Sequence, residues 1–295
     1  MIPKGKLLII GGAEDKGPNG HPAIKHKTKE FRHFEILGEL LPPDKHKPHR
    51  IEVITTASSV PLELSEVYMK CYAYAGFKDV HHLSIEDKDQ ARDPEIIDRI
   101  TKANVVLFTG GDQFRLATIL GGTDFIELLI QRYKEDSEFI IAGTSAGAMV
   151  MSRLMLYQGD NNEAMLKGEI KIASGFGIID NCIIDTHFVK RGRFGRLAQA
   201  IVMNPTFAGI GLGEDTALII HQGNRAECRG SGMVIIIDGK EIGYTNIPEA
   251  EDGMPLCVEN LKVHVLCRGN GFLLKERQFL PNKKELRKQH HNHAG

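Results

Sequence analysis

The chain has 295 residues, 42% of them hydrophobic, and its 37 Lys+Arg stand against 38 Asp+Glu for a formal net charge of −1. That length buries a sizeable core without disulfide or metal staples. A near-neutral chain gains little from counterion release on a nucleic acid, so no nucleic-acid partner is expected and any anion binding must be local. No run approaches the 18 consecutive apolar residues of a membrane span, and the start, Met1-Ile2-Pro3-Lys4-Gly5, lacks the apolar segment of a signal peptide. A cytoplasmic protein with no membrane partner is expected. The cysteines (Cys71, Cys182, Cys228, Cys257, Cys267) are scattered with no C-x-x-C pair, so reduced thiols are expected. The histidines sit mainly in Lys-rich stretches (His26, His46, His49) or near the end (His290, His291, His293), without the fixed spacing of a ligand set, and no metal is expected.

In chain order, a strand is predicted at Lys6 to Ile10, followed by the turn Gly11-Gly12-Ala13-Glu14-Asp15-Lys16. Lys16 to Lys29 and Leu41 to Pro48 read as solvated loops. A second strand covers Ile51 to Thr55. Leu64, Val67, Tyr68, Cys71, Tyr72 and Ala75 then recur at helical spacing, with Gly76 placed to end the helix. Val80 to Leu83 is the third strand. Asp93-Pro94 supplies an N-cap and first-turn proline for a helix carrying Ile97 and Ile100. Asn104 to Phe108 is a strand, Asp124 to Tyr133 a helix and Glu138 to Ala142 a strand. This alternation is the pattern of βαβ units and a parallel sheet. After about residue 215, hairpin signals separate Ala217 to His221, Met233 to Ile237 and Leu261 to Cys267, which read as antiparallel additions to the same domain. The expected class is α/β, a mostly parallel sheet flanked by helices. One domain spans residues 1–280, and a basic, disordered tail spans residues 281–295.

The segment Phe139 to Val150 runs from an apolar strand into G-x-S-x-G at Gly143-Thr144-Ser145-Ala146-Gly147 and then into a helix-compatible stretch. A serine on such a turn is forced into a strained backbone that projects its hydroxyl, as in a nucleophile elbow. The N–H of Ala146 is placed for an oxyanion hole. A serine hydroxyl needs a base. His187, at the end of the apolar run Ile183-Ile184-Asp185-Thr186, is the best placed histidine. Glu214, in the Gly-rich segment Gly211-Leu212-Gly213, is the candidate orienting acid, with Asp215 and Asp185 as competitors that spacing alone leaves open. The order Ser, His, acid differs from that of the α/β-hydrolases. Thr109-Gly110-Gly111-Asp112-Gln113 follows the strand ending at Phe108, on the edge where parallel sheets bind ligands. Gly111 offers a second oxyanion N–H and Gln113 a substrate contact. Arg191, Arg193 and Arg196, just after His187, read as carboxylate receptors, and Asp185 as a partner for a cationic group or for one arginine. Neither G-x-G-x-x-G nor a Walker A loop occurs. No cofactor is expected.

Taken together, five strings resemble the cyanophycinases, serine exopeptidases with a class I glutamine amidotransferase-like, flavodoxin-like fold. They are Gly11 to Lys16, Gly110 to Gln113, Gly143 to Ala148, Asp185 through Arg196 with its H-F-x-x-R-x-R-x-x-R spacing, and Gly213 to Ala217, within a resemblance running from Lys6 to Leu274. The resemblance implies Ser145 as nucleophile, His187 as base and Glu214 as third member of the triad. It implies Gln113, Asp185, Thr186, Arg191, Arg193 and Arg196 as the substrate pocket, and a homodimer. Members of the family cleave cyanophycin, a polyaspartate carrying arginine through isopeptide bonds, to β-Asp-Arg dipeptides. The chain departs from the family at Asp185-Thr186-His187, where a glutamine usually precedes the histidine, so a pocket contact is lost or replaced. The alternatives are an aspartyl dipeptidase acting on small N-terminal Asp peptides, and a catalytically silent protein that holds acidic peptides.

Overall fold

The apolar runs of the first half become strands, and Ile51–Ile54 and Val105–Phe108 are buried throughout, as a parallel sheet covered by helices requires. The computed structural model describes residues 1–17, 31–42, 44, 47–159 and 164–282. The predicted loop beyond residue 17, up to Lys29, and the tail from residue 283 lie outside these.

In chain order the elements are β1 (Lys6–Ile10), α1 (Glu35–Gly38), β2 (Ile51–Ile54), α2 (Pro61–Tyr74), β3 (Val80–Leu83), α3 (Pro94–Lys102), β4 (Val105–Phe108), α4 (Gln113–Leu120), α5 (Asp124–Glu135), β5 (Ile140–Thr144) and α6 (Ala146–Met149). They continue with β6 (Leu154–Gly159), β7 (Ile170–Ser174), β8 (Cys182–Asp185), α7 (Phe194–Met203), β9 (Ala208–Leu212), β10 (Thr216–His221), β11 (Arg225–Gly230), β12 (Val234–Asp238), β13 (Lys262–Leu266), β14 (Gly271–Leu273) and β15 (Gln278–Leu280).

Local chemistry explains the boundaries. Asp93 caps α3 by accepting the Glu95 N–H at 2.8 Å, with Pro94 in the first turn. After α2 the N–H groups of Gly76 and Phe77 donate back to Ala73 (3.0 Å) and Tyr72 (2.9 Å), closing the helix as its sequence predicts. β5 starts two residues later than expected. Asp136 turns the chain first, its Oδ1 accepting the Glu138 N–H at 2.9 Å.

The main sheet has nine strands in the order β15-β14-β11-β10-β1-β5-β4-β2-β3. From β1 to β3 the neighbours run parallel, and on the other flank they run antiparallel. Alternate residues serve opposite faces, with Leu7, Ile9, Val106 and Phe108 in one core cluster and Leu8, Ile10, Val105 and Leu107 in the other. The first cluster also takes in β8, β9, β12 and α7.

The β-rich final third divides between two sheets. The hairpin β10–β11 extends the main sheet, while β12 and β13 join β8 and β9 in a four-stranded sheet, order β13-β12-β9-β8. Turn signals specify which strands fold back but not which sheet receives them. The Gly-rich stretch before Glu214 is itself a strand, β9, because the Phe188 ring packs where a Cβ of Gly211 would lie, 2.5 Å away. Among the described residues no helix is long and apolar enough to cross a membrane. The carboxyl ends of β1, β4, β5 and β8 converge, since the His187 N–H after β8 donates to the Gly11 carbonyl after β1 at 2.9 Å.

Candidate active site

Ser145 sits between β5 and α6 with φ 52° and ψ −115°, a conformation that non-glycine residues avoid. Its N–H is tied to the Ile10 carbonyl at 3.0 Å. The chain turns this sharply because residue 147 is glycine: a Cβ there would lie 2.3 Å from the Phe108 carbonyl oxygen. The helix that follows is a single turn of four residues, and Ala146, its first residue, is buried. The N–H of Ala146 is one of the helix-initial groups that lack an intrahelical acceptor. Gly110 and Gly111, after β4, line the same cleft as Ser145.

His187 also has a positive φ, 49°, and its ring lies against Gly12. Its Nε2 is 3.1 Å from Ser145 Oγ, and its Nδ1 is 2.9 Å from Glu214 Oε1. The tautomer that satisfies both bonds carries the proton on Nδ1, donates to the carboxylate and accepts from the hydroxyl. Burial holds the imidazole below its ordinary value, and the Arg191 and Arg193 cations press the same way against the opposing pull of Glu214. A neutral imidazole at neutral pH is what a base requires. Glu214 is also shifted down. Burial raises it, but hydrogen bonds from His187 and from Lys190, whose Nζ is 3.1 Å from Oε1, outweigh that cost.

The three carboxylates left open by spacing separate cleanly. Asp215 turns away from His187 and accepts from the Ser231 hydroxyl, and burial raises its carboxyl. Asp185 is fully buried and accepts from Arg196 Nε at 2.6 Å, from Arg196 Nη2 and from Arg193 Nη1 at 3.2 Å. Glu214 is the carboxylate that reaches the imidazole.

The cleft has a volume of about 430 Å³, and its lining includes Gly111, Gln113, Thr186, Arg191 and Arg193 together with Ser145 and His187. The Gln113 side-chain amide donates to the Leu156 carbonyl at 3.1 Å, which anchors it to β6. Thr186 is buried, its hydroxyl directed to Met149 Sδ at 3.3 Å. Arg193 also donates to the Thr186 carbonyl at 2.7 Å, and burial pushes its guanidinium down to about 10. Asp185 and Arg196 do not line the cleft. They pair beneath it, so of the three arginines Arg191 and Arg193 reach the lining. Sequence reasoning missed Glu14, Lys16, Leu64 and Tyr68, which form another wall, and Lys190. The turn after β1 was the available signal for the first two, since it ends on the same sheet edge as Ser145. Among the described residues no group of three His, Cys, Asp or Glu side chains converges as a metal site would.

Comparison with known proteins agrees with this architecture. The model of peptidase family S51 matches residues 26–227. The chain is 33% identical to the cyanophycinase of Trichormus variabilis over 278 residues, 94% of this chain and 88% of that protein. It is 33% identical to the cyanophycinase of Geminocystis herdmanii over 275 residues, 93% and 96% of the two chains. Among solved structures, a peptidase from an acI-B1 actinobacterium superposes with a TM-score of 0.63 at 23% identity, covering 93% of this chain and 98% of that one. A putative peptidase E protein from Listeria monocytogenes superposes with a TM-score of 0.52 at 16% identity, covering 77% and 99%. These two likenesses establish the fold alone. A family model spanning most of the chain and relatives at this identity over nearly its full length carry the assignment: the chain belongs to peptidase family S51, among the cyanophycinases, and is a serine-type peptidase.

Proposed function

We propose that the protein is a serine exopeptidase that hydrolyses cyanophycin or closely related β-aspartyl-arginine isopeptides through Ser145, His187 and Glu214. The observation that carries this reading is the hydrogen-bonded series from Ser145 Oγ through the His187 ring to Glu214, opening into a cleft with Arg191 and Arg193 on its lining. Ser145 attacks the aspartyl carbonyl while His187 Nε2 takes its proton, and Glu214 holds Nδ1–H and stabilises the imidazolium that forms. The backbone N–H groups of Gly111 and Ala146 receive the oxyanion. His187 then protonates the leaving amine, and water, activated by the same imidazole, releases the acyl group from Ser145.

The β-Asp-Arg unit carries carboxylates, and the cleft lining offers cations to receive them. Arg191 is exposed and suited to a substrate carboxylate. Thr186 supplies no amide where the family pattern has glutamine, so the substrate is held with one side-chain contact fewer at that position. Replacing Ser145 by Ala should abolish β-Asp-Arg release from purified cyanophycin, read by mass spectrometry, and retained release would remove Ser145 as nucleophile. Faster turnover of α-linked than of β-linked Asp-Arg would assign an aspartyl dipeptidase instead. Failure of a fluorophosphonate probe to label Ser145 would leave a silent binding protein.

A further inference from the structure

Gly11 and Gly12 hold His187 in place, whereas Glu14 and Lys16, at the end of the same string, take no part in the series from Ser145 to Glu214 and build one wall of the cleft. Glu14 sends its carboxylate inward, where its side chain is 1% exposed. The Tyr68 hydroxyl donates to Oε1 and the Thr144 hydroxyl to Oε2, each at 2.7 Å, and Lys16 Nζ lies 2.8 Å from Oε1. The Lys16 ammonium also stands 5.1 Å from the centroid of the Tyr68 ring, within cation–π range. An ion pair serving only the core would hide both charges. Here the anion is hidden while the Lys16 side chain keeps 16% of its surface open, on the lining shared with Ser145.

We propose that Lys16, fixed by Glu14, Tyr68 and Thr144, is a binding residue for a free carboxylate of the substrate. The proposal rests on the reading of the cleft given above. A β-Asp-Arg unit at a free carboxyl end of the polymer carries two carboxylates, one from aspartate and one from arginine, whereas an internal unit carries one. Arg193 is already engaged with Asp185 and with the Thr186 carbonyl. Arg191, from the loop after β8, and Lys16, from the loop after β1, therefore provide two receptors on different elements for the two carboxylates of a terminal unit. An internal unit would leave one of them unfilled, which favours cleavage at chain ends.

The test compares (β-Asp-Arg)2 carrying free terminal-unit carboxyls with versions in which each of those carboxyls is amidated. In the wild-type enzyme, amidating the carboxyl that meets Lys16 should lower kcat/KM about tenfold or more, chiefly through KM, as expected for loss of a charge-assisted hydrogen bond. Lys16→Met should show the same loss on the free substrate and no further loss on that amide, and Lys16→Arg should restore most of the discrimination. Lys16→Met strands the buried Glu14 carboxylate. The pair Glu14→Gln with Lys16→Met removes both charges and should show the same indifference to amidation. Equal responses to amidation in wild type and in both variants would overturn the proposal and leave Lys16 as a partner for Glu14 only. If the wild-type protein releases nothing from (β-Asp-Arg)2, the substrate reading falls. Calorimetric binding of α-linked Asp dipeptides and their amides to Ser145→Ala, with and without Lys16→Met, then decides Lys16 by the same comparison.

Discussion

Gly12→Ala is the most direct probe of how His187 is held. A methyl group at residue 12 would lie 2.5 Å from both Cε1 and Nε2 of the His187 ring, on a backbone with φ +99°. Relief to ordinary contact requires the ring to retreat by roughly 1 Å. Ser145 Oγ and Nε2 are 3.1 Å apart, and a retreat of that size stretches the pair to about 4 Å, beyond hydrogen-bond range. Misplacement on this scale costs on the order of 100-fold in kcat, or about 2.7 kcal/mol of transition-state stabilisation. The positive φ adds roughly 1–2 kcal/mol of folding cost for a residue with a Cβ. KM should change little, because the three atoms nearest the added methyl all belong to the His187 ring. Initial rates of dipeptide release and a thermal melt measure the two effects separately. A Gly12→Ala enzyme with kcat within about twofold of wild type would refute the reasoning that this glycine sets the imidazole position.

Four further outcomes follow from the charges. Because His187 titrates below its ordinary 6.5 and acts as a neutral base, kcat/KM should be full above that lowered value and fall as pH drops through it. The acid limb should therefore have its midpoint below pH 6.5, and a midpoint at or above it would contradict the burial argument. Arg191→Met removes a cation that presses His187 down and should move that limb upward. Glu14 is lowered from 4.5 to about 2: burial works against ionisation, and Lys16, Tyr68 and Thr144 outweigh it. A depressed carboxylate stabilises the fold above its unfolded value and loses that contribution as pH falls toward the folded one. Roughly 3 kcal/mol should disappear between about pH 5 and pH 2, and the loss should be flatter in Glu14→Gln. Asp185→Asn leaves buried Arg196 without its carboxylate and should cost about 3–5 kcal/mol of stability in denaturant titration. A shift under about 1 kcal/mol would mean that the pair is not structural.

How much was legible in the sequence depends on the range of the interaction. The strands β1 to β4 and helices α2, α3 and α5 were visible because apolar spacing, Asp93-Pro94 and Gly76 act within a few residues. β6, β7 and β9 were not. Two glycines made β9 look like a turn, and only the packing of Phe188 and α7 against it gives those glycines a reason to lie in a strand. For the site, G-x-S-x-G after an apolar strand identified Ser145 because the strained turn is local. His187 stood out by its place at the end of an apolar run beside the arginines, whereas His81 and His82 lie within β3, His221 ends β10, His264 lies within β13, and others sit in Lys-rich stretches. The chemistry of Glu14 and Lys16 was not legible, because their partners Tyr68 and Thr144 lie 54 and 130 residues from Glu14 along the chain.

The α/β class, the serine turn and the family likeness follow from linear order, because propensity, periodicity and motif spacing are properties of neighbouring residues. Which carboxylate meets His187 is set by long-range packing. Glu214, Asp215 and Asp185 all carry a carboxylate and all lie near the histidine or the glycine turn in sequence. The packing of β8 and β9 sends one to the imidazole, one to Ser231 and one to Arg196. It also decided that Arg196 and Asp185 pair below the cleft while Lys16 and Arg191 line it. A buried charge must take whatever opposite charge the folded chain brings within a few ångströms, and that choice has no expression in linear order.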